Sequence, residues 1–212
     1  LFAGLTLFLA DALTFSRGGY LGFLMAGTAF LVFSWLNLKE KLQKSILIMG
    51  SVFIALFLFF GQPITTRFVS SFTLEDSSSS ERLVLWETAF ENIQKRPFFG
   101  AGLGNYILVV NPIAKYRLPY YAHNLYLDIA TELGLSGLFF FILLIGVSYS
   151  YILKNVRMNH VDFVALGTLS ALTLYLTHSL FETALYSVHI LPLLLFILVL
   201  GYRKRKEYET QS

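Results

Sequence analysis

Long stretches of this chain contain no charged side chain at all, and that limits what it can become more than any motif does. Residues 18 to 38, 45 to 66, 133 to 153 and 183 to 202 hold no Asp, Glu, Lys or Arg. The run from 163 to 181 is equally free of them and holds only His178 among groups that titrate near neutrality. A hydrocarbon core of about 30 Å is crossed by about 20 apolar helical residues, because the helix satisfies its own backbone groups. Five crossings follow. The opening run, 1 to 16, is interrupted by Asp11 and is read as the end of a sixth. Composition agrees: 56% of residues are hydrophobic and 14% charged, against about 25% charged in soluble domains. The absence of cysteine excludes disulfides and thiolate chemistry.

Basic residues orient these crossings, since short cytoplasmic loops accumulate Lys and Arg. Lys39, Lys41 and Lys44 mark one such loop, Lys154 and Arg157 a second, and Arg203 to Lys206 the tail. Placing all three inside makes six alternating crossings consistent. The expected class is therefore an all-α polytopic membrane protein, a C-terminal part of a longer protein. It has three crossings in 1–62, an extracytoplasmic loop in 63–136, three more crossings in 137–202 and a basic tail in 203–212. The net charge of +3 is explained by this topology, so no nucleic-acid partner is expected. Membrane lipids are.

The loop begins with Glu75-Asp76 and four serines, a polar linker able to cap a helix. From Glu81 to Gln94, the spacing of Leu83, Trp86, Phe90 and Ile93 predicts an amphipathic helix lying on the membrane face, with Arg82 in its first turn. Pro97 ends it, and Gly100, Gly102 and Gly104 make a glycine-rich turn. That turn follows a helix rather than a strand, so it fails the dinucleotide-binding context. After a Pro- and Tyr-rich passage, Asn124 is an expected N-cap for a helix over Leu125 to Leu133, and Gly134 its stop. Asn124, Asp128 and Glu132 recur every four residues and share one side of that helix.

Three outer residues offer chemistry. A histidine whose ordinary pKa is about 6.5 suits proton transfer near neutrality, and His123 stands at a helix start on the exterior. A lone histidine is as often structural. Arg17, in Ser16-Arg17-Gly18-Gly19, lies at the outer junction of the first two crossings, where the glycines would let a ligand approach the backbone. The bland alternative is an arginine snorkelling from a helix end. Arg82 is either a solvated helix residue or a second phosphate clamp, since guanidinium grips phosphate bidentately. His178 and Glu182, four apart at the end of the fifth crossing, read first as a mutually satisfied polar pair.

Four pieces, in order, resemble the O-antigen ligase-like proteins, a group of O-antigen ligases, O-antigen polymerases and bacterial O-oligosaccharyltransferases. They are Ser16-Arg17-Gly18, the helix start Arg82-Leu83-Val84-Leu85-Trp86, the passage Arg96-Pro97-Phe98-Phe99-Gly100-Ala101-Gly102-Leu103-Gly104-Asn105-Tyr106, and His123-Asn124-Leu125-Tyr126-Leu127 followed by Glu132-Leu133-Gly134 and Gly137. The resemblance implies the helical architecture of polyprenyl-dependent glycosyltransferases. It also implies a glycan donor carried on undecaprenyl pyrophosphate, a lipid or glycan acceptor, and a site at the outer face of the bacterial inner membrane. By the same resemblance Arg17 and Arg82 hold the pyrophosphate and His123 is the general base, with neither cofactor nor metal. Asn124, Glu132, His178 and Glu182 are supporting residues. A transporter, the reading from another class, would place ionisable residues along a path at bilayer depth. Apart from Asp11, they lie here in loops or at the ends of crossings.

Overall fold

The computed structural model describes residues 16–37, 50–51, 77–113, 120–156, 162–183, 185, 187 and 189–202. The opening run, nearly all of the expected 45–66 crossing and the basic tail lie outside the described residues. Those described form six helices and no strand: α1 (Arg17–Asn37), α2 (Ser77–Lys95), α3 (Tyr106–Val110), α4 (Leu125–Val156), α5 (Phe163–His178) and α6 (Ile190–Gly201).

The two helices long and apolar enough to cross a membrane among the described residues are α1, from Gly18 to Leu36, and α4; α5 and α6 are shorter apolar helices. The Ser16 hydroxyl caps α1 by accepting the Gly19 N–H at 3.1 Å. Asp162 caps α5 through the Val164 and Ala165 N–H groups. Among the described residues of the expected last crossing, 183–202, the helix starts at Ile190. Pro192 explains that start, because proline lacks the N–H that a first helical turn does not use.

α4 is not straight. Gly134 sits at φ 74°, ψ −178°, a combination open almost only to glycine. It folds the arm Leu125 to Leu133 back against the longer part of the helix, so that the Tyr126 and Phe141 rings meet edge to face at 6.4 Å. The arm's start is then tied to the end of α5: the Leu125 N–H donates to Ser179 O at 2.9 Å, and the Tyr126 hydroxyl to Leu176 O at 2.8 Å. Leu125, Ile129, Ile152, Leu166, Leu169 and Leu172 are buried together at the heart of the bundle. The outer faces of α4 stay apolar and exposed, Phe139 and Phe140 among them, as lipid-facing surface should be.

α1 packs on α5 through small residues, which let helix backbones approach closely. A Cβ at Gly22 would stand 3.2 Å from Leu174 O, and one at Gly18 2.8 Å from Phe181 Cβ. Gly18 therefore admits a neighbouring side chain of the protein itself. The expected ligand-approach turn at Gly18-Gly19 is instead the first turn of α1.

Candidate active site

α2 turns its short and polar side toward the protein: Leu85, Ala89 and Asn92 are buried, whereas Leu83 and Phe90, from the predicted apolar stripe, are exposed. Leu83, Val84 and Phe90 thus make an outward apolar patch of the kind a membrane surface accepts, while Trp86 of the same stripe packs inward. α2 starts earlier than expected, at Ser77, so Arg82 falls in its second turn. Arg82 Nη1 donates to Phe181 O at 2.9 Å. One turn on, the Trp86 indole N–H donates to Ala122 O at 2.8 Å. Two residues four apart on one helix thus hold two loops far apart in sequence, one just before Glu182 and one just before His123.

Those loops bring His123 and Glu182 together. His123 Nδ1 lies 3.0 Å from Glu182 Oε1, with both side chains about 41% exposed. In the tautomer with the proton on Nδ1, that nitrogen donates to Glu182 and Nε2 is left as the ring's acceptor. His123 also has φ 52°, the one positive value at a non-glycine among the described residues. Such a conformation persists only where its surroundings dictate it. Here they do: the Ala122 N–H donates to Asp128 Oδ1 at 2.8 Å, and Trp86 holds the Ala122 carbonyl. On the other side Asn124 caps the arm, its Oδ1 accepting the Tyr126 and Leu127 N–H groups at 3.0 and 3.1 Å.

Asp128, fully buried, links both loops. Its second oxygen accepts the Thr183 hydroxyl, so a single carboxylate fastens the residue before His123 to the residue after Glu182. The sequence reading of His178 and Glu182 as a pair on one helix face is corrected: α5 ends at His178, the chain turns over residues 179 to 181, and Glu182 meets His123 instead. His178 faces the start of α1, its ring 3.4 Å from where a Gly18 Cβ would stand. Arg17 is the first residue of α1. Its side chain lies outside the described residues, but the adjoining Gly18 sits against Phe181, at the turn that Arg82 holds.

Glu132, one turn beyond Asp128, serves a different junction. Its Oε1 accepts the Tyr106 N–H at 3.1 Å. The carbonyls at the end of the arm, which no helical partner satisfies, are taken up by the glycine turn: Ala101 N–H donates to Thr131 O and Gly102 N–H to Glu132 O, both at 2.8 Å. The Asn92 amide adds a bond to Thr131 O. Burial raises the Tyr106 phenol well above its ordinary range, helped by the nearby Asp128 charge and by Tyr120. Tyr121 is raised by burial and then by Glu132 and Asp128. Both therefore remain neutral donors at physiological pH.

Apolar helices long enough to cross a bilayer, with His123, Glu182 and Arg82 gathered beside the start of α4 and the end of α5, fit a membrane protein with a candidate site at its helix ends. The chain belongs to the O-antigen ligase family, whose profile matches residues 2–142. No curated protein and no solved structure matches the chain. The family is one of membrane glycosyltransferases of the O-antigen ligase and polymerase type, which work on lipid-linked glycans and acceptors. The matched segment contains Arg17, Arg82, His123, Asp128 and Glu132 and ends before Phe181, Glu182 and Thr183.

Proposed function

We propose that this protein transfers a glycan from undecaprenyl pyrophosphate to an acceptor hydroxyl at the outer face of the bacterial inner membrane. The carrying observation is the His123–Glu182 contact. Glu182 fixes the proton on Nδ1, so Nε2 takes the proton of the acceptor hydroxyl as its oxygen attacks the anomeric carbon. The carboxylate then stabilises the imidazolium that forms. The bond to the pyrophosphate breaks on the opposite face, so the anomeric centre inverts.

The leaving pyrophosphate gains negative charge, which fixed cations stabilise best where water is excluded. Arg82 spends an N–H of its guanidinium on Phe181 O, a bond that aims the remaining donors, and Arg17 starts α1 beside the same turn. Together they form the clamp, and they supply positive charge without a metal. The acceptor is the lipid A core or another surface glycan, as in a ligase or polymerase.

The test is His123→Ala in the full-length protein, with transfer assayed from a polyprenyl-linked donor. A general base contributes about 10²–10⁴-fold, so the variant should lose that much rate while keeping its thermal unfolding profile. Transfer at near wild-type rate by the folded variant would remove His123 from the mechanism.

A further inference from the structure

Between α2 and α3 the chain places side by side the two most exposed aromatic side chains among the described residues: Phe98 is 71% and Phe99 86% accessible, with Leu103 at 60% close behind. The transfer mechanism uses none of them. A soluble protein seldom leaves such a cluster in water.

Their backbone is not loose. Leu135 N–H donates to Pro97 O at 2.7 Å, and the Ser136 hydroxyl to Phe98 O. Gly134 approaches so closely that a Cβ there would stand 2.2 Å from Phe98 O. The pair is thus bolted to the point where α4 folds. From Leu135 to Val156 the helix has 22 residues, about 33 Å at 1.5 Å per residue, enough to cross a core of about 30 Å. One end of that crossing is at Gly134, so Phe98 and Phe99 lie at the level of a bilayer interface. The exposed Leu135, Phe139 and Phe140 continue the apolar surface down α4. Arg96, exposed just before Pro97, supplies positive charge that anionic headgroups attract, beside Lys95, which pairs with Glu91 at 3.3 Å.

We infer that Phe98 and Phe99 are an interfacial anchor, inserted among lipid headgroups and upper acyl chains at the Gly134 end of α4. The occupant of this surface is lipid rather than a second protein, because the apolar face is continuous with that of a crossing helix and is edged by Arg96. The anchor ties the glycine turn, and through it the arm that ends at His123, to a fixed depth. It requires that α4 crosses the bilayer and does not depend on the transfer reaction.

The chain has no cysteine, so a single introduced one accepts a nitroxide label. In the full-length protein, with any cysteine outside these residues replaced by serine, Phe99→Cys, Glu91→Cys and Leu143→Cys are labelled singly. They are reconstituted into phosphatidylethanolamine–phosphatidylglycerol vesicles. The ratio of collisions with oxygen to collisions with a water-soluble nickel chelate reports depth. It should be several-fold higher at 99 than at 91, and lower than at 143. Equal ratios at 99 and 91 would overturn the anchor. So would spin–spin broadening at 99 that disappears on dilution with unlabelled protein, which would put a second copy on this surface. Neither outcome bears on His123, whose variant is read by transfer.

Discussion

Asp128 and Glu132 sit one turn apart on the same short arm, both buried and both accepting a backbone N–H, yet they belong to different parts of the protein. Asp128 gathers the loops that carry His123 and Glu182. Glu132 gathers the glycine turn under the fold at Gly134. Spacing alone makes them equivalent, and only their partners separate the junction beside the proposed base from the one under the fold at Gly134. If that division is right, damage at the Glu132 end should appear as lost folding. Damage at the Asp128 end should appear as lost transfer per folded molecule, beyond what its loss of stability explains.

The largest effect is expected at the shape-forming end. Gly134→Ala puts a Cβ against the Phe98 carbonyl and forces alanine into backbone space that is almost exclusively glycine's. A cost of about 1–3 kcal/mol from the backbone and a similar one from the overpacked Cβ are expected. Little monodisperse protein should survive extraction, as size-exclusion chromatography would show. A well-folded variant would mean that the arm does not need its fold at this residue.

Next come the two carboxylates themselves. Asp128→Ala leaves the Ala122 N–H and the Thr183 hydroxyl without their acceptor, each at about 1–3 kcal/mol, and frees His123 from its enforced φ. Asp128→Asn is the informative partner: its oxygen can still accept from Ala122, and its amide can donate to the Thr183 hydroxyl. The alanine variant should lose stability and transfer together, and asparagine should restore most of both. Glu132→Gln keeps an acceptor for Tyr106, so transfer per folded molecule should stay within about twofold of wild type. If Glu132→Gln abolished transfer while Asp128→Ala spared it, the roles assigned to the two ends would be reversed.

Glu182→Gln sharpens the chemical end further. It removes the charge that fixes the Nδ1 proton, a hydrogen bond to a charged group being worth about 1.5–3 kcal/mol, or roughly ten- to a hundredfold in rate. The loss should fall on kcat rather than on the acceptor's KM, since the residue touches the base and not the acceptor. A change confined to KM would instead make Glu182 a binding residue.

Much of the local structure is legible in the sequence, because local structure depends on near neighbours. Asn124 caps its helix, Gly134 interrupts one, and the residues after Pro97 turn on glycines. What the sequence does not disclose is where the pieces meet. Glu182 lies 59 positions from His123, and its spacing from His178 suggests a nearer partner. That reading fails because α5 stops at His178. Trp86 reads as one member of an apolar stripe, yet its indole N–H holds the loop before His123. Thr183 gives no signal at all, being an ordinary threonine in an apolar run. The backward fold of the arm is hidden for a related reason: glycine announces that a helix can stop, but the chain's direction afterwards depends on Phe98 and Ser136, which receive it.

A loss at the lower end of that expected for Glu182→Gln, and the one that best probes the clamp, is expected at Arg82. Its guanidinium has two tasks in the proposed site, bonding to Phe181 O and presenting donors to the pyrophosphate. Lysine keeps the charge but not the planar fork, so Arg82→Lys can do one of these and not both. Losing one hydrogen bond to a charged group costs about 1.5 kcal/mol at the lower end, close to tenfold. The loss should appear as weaker use of the lipid-linked donor, with acceptor dependence unchanged. It should not add to the loss in Glu182→Gln as an independent site would, because both residues act on the same turn at Phe181 and neighbouring changes seldom combine additively. Full additivity in the double variant would mean that Arg82 works only on the donor and that its bond to Phe181 O does nothing for the His123–Glu182 pair.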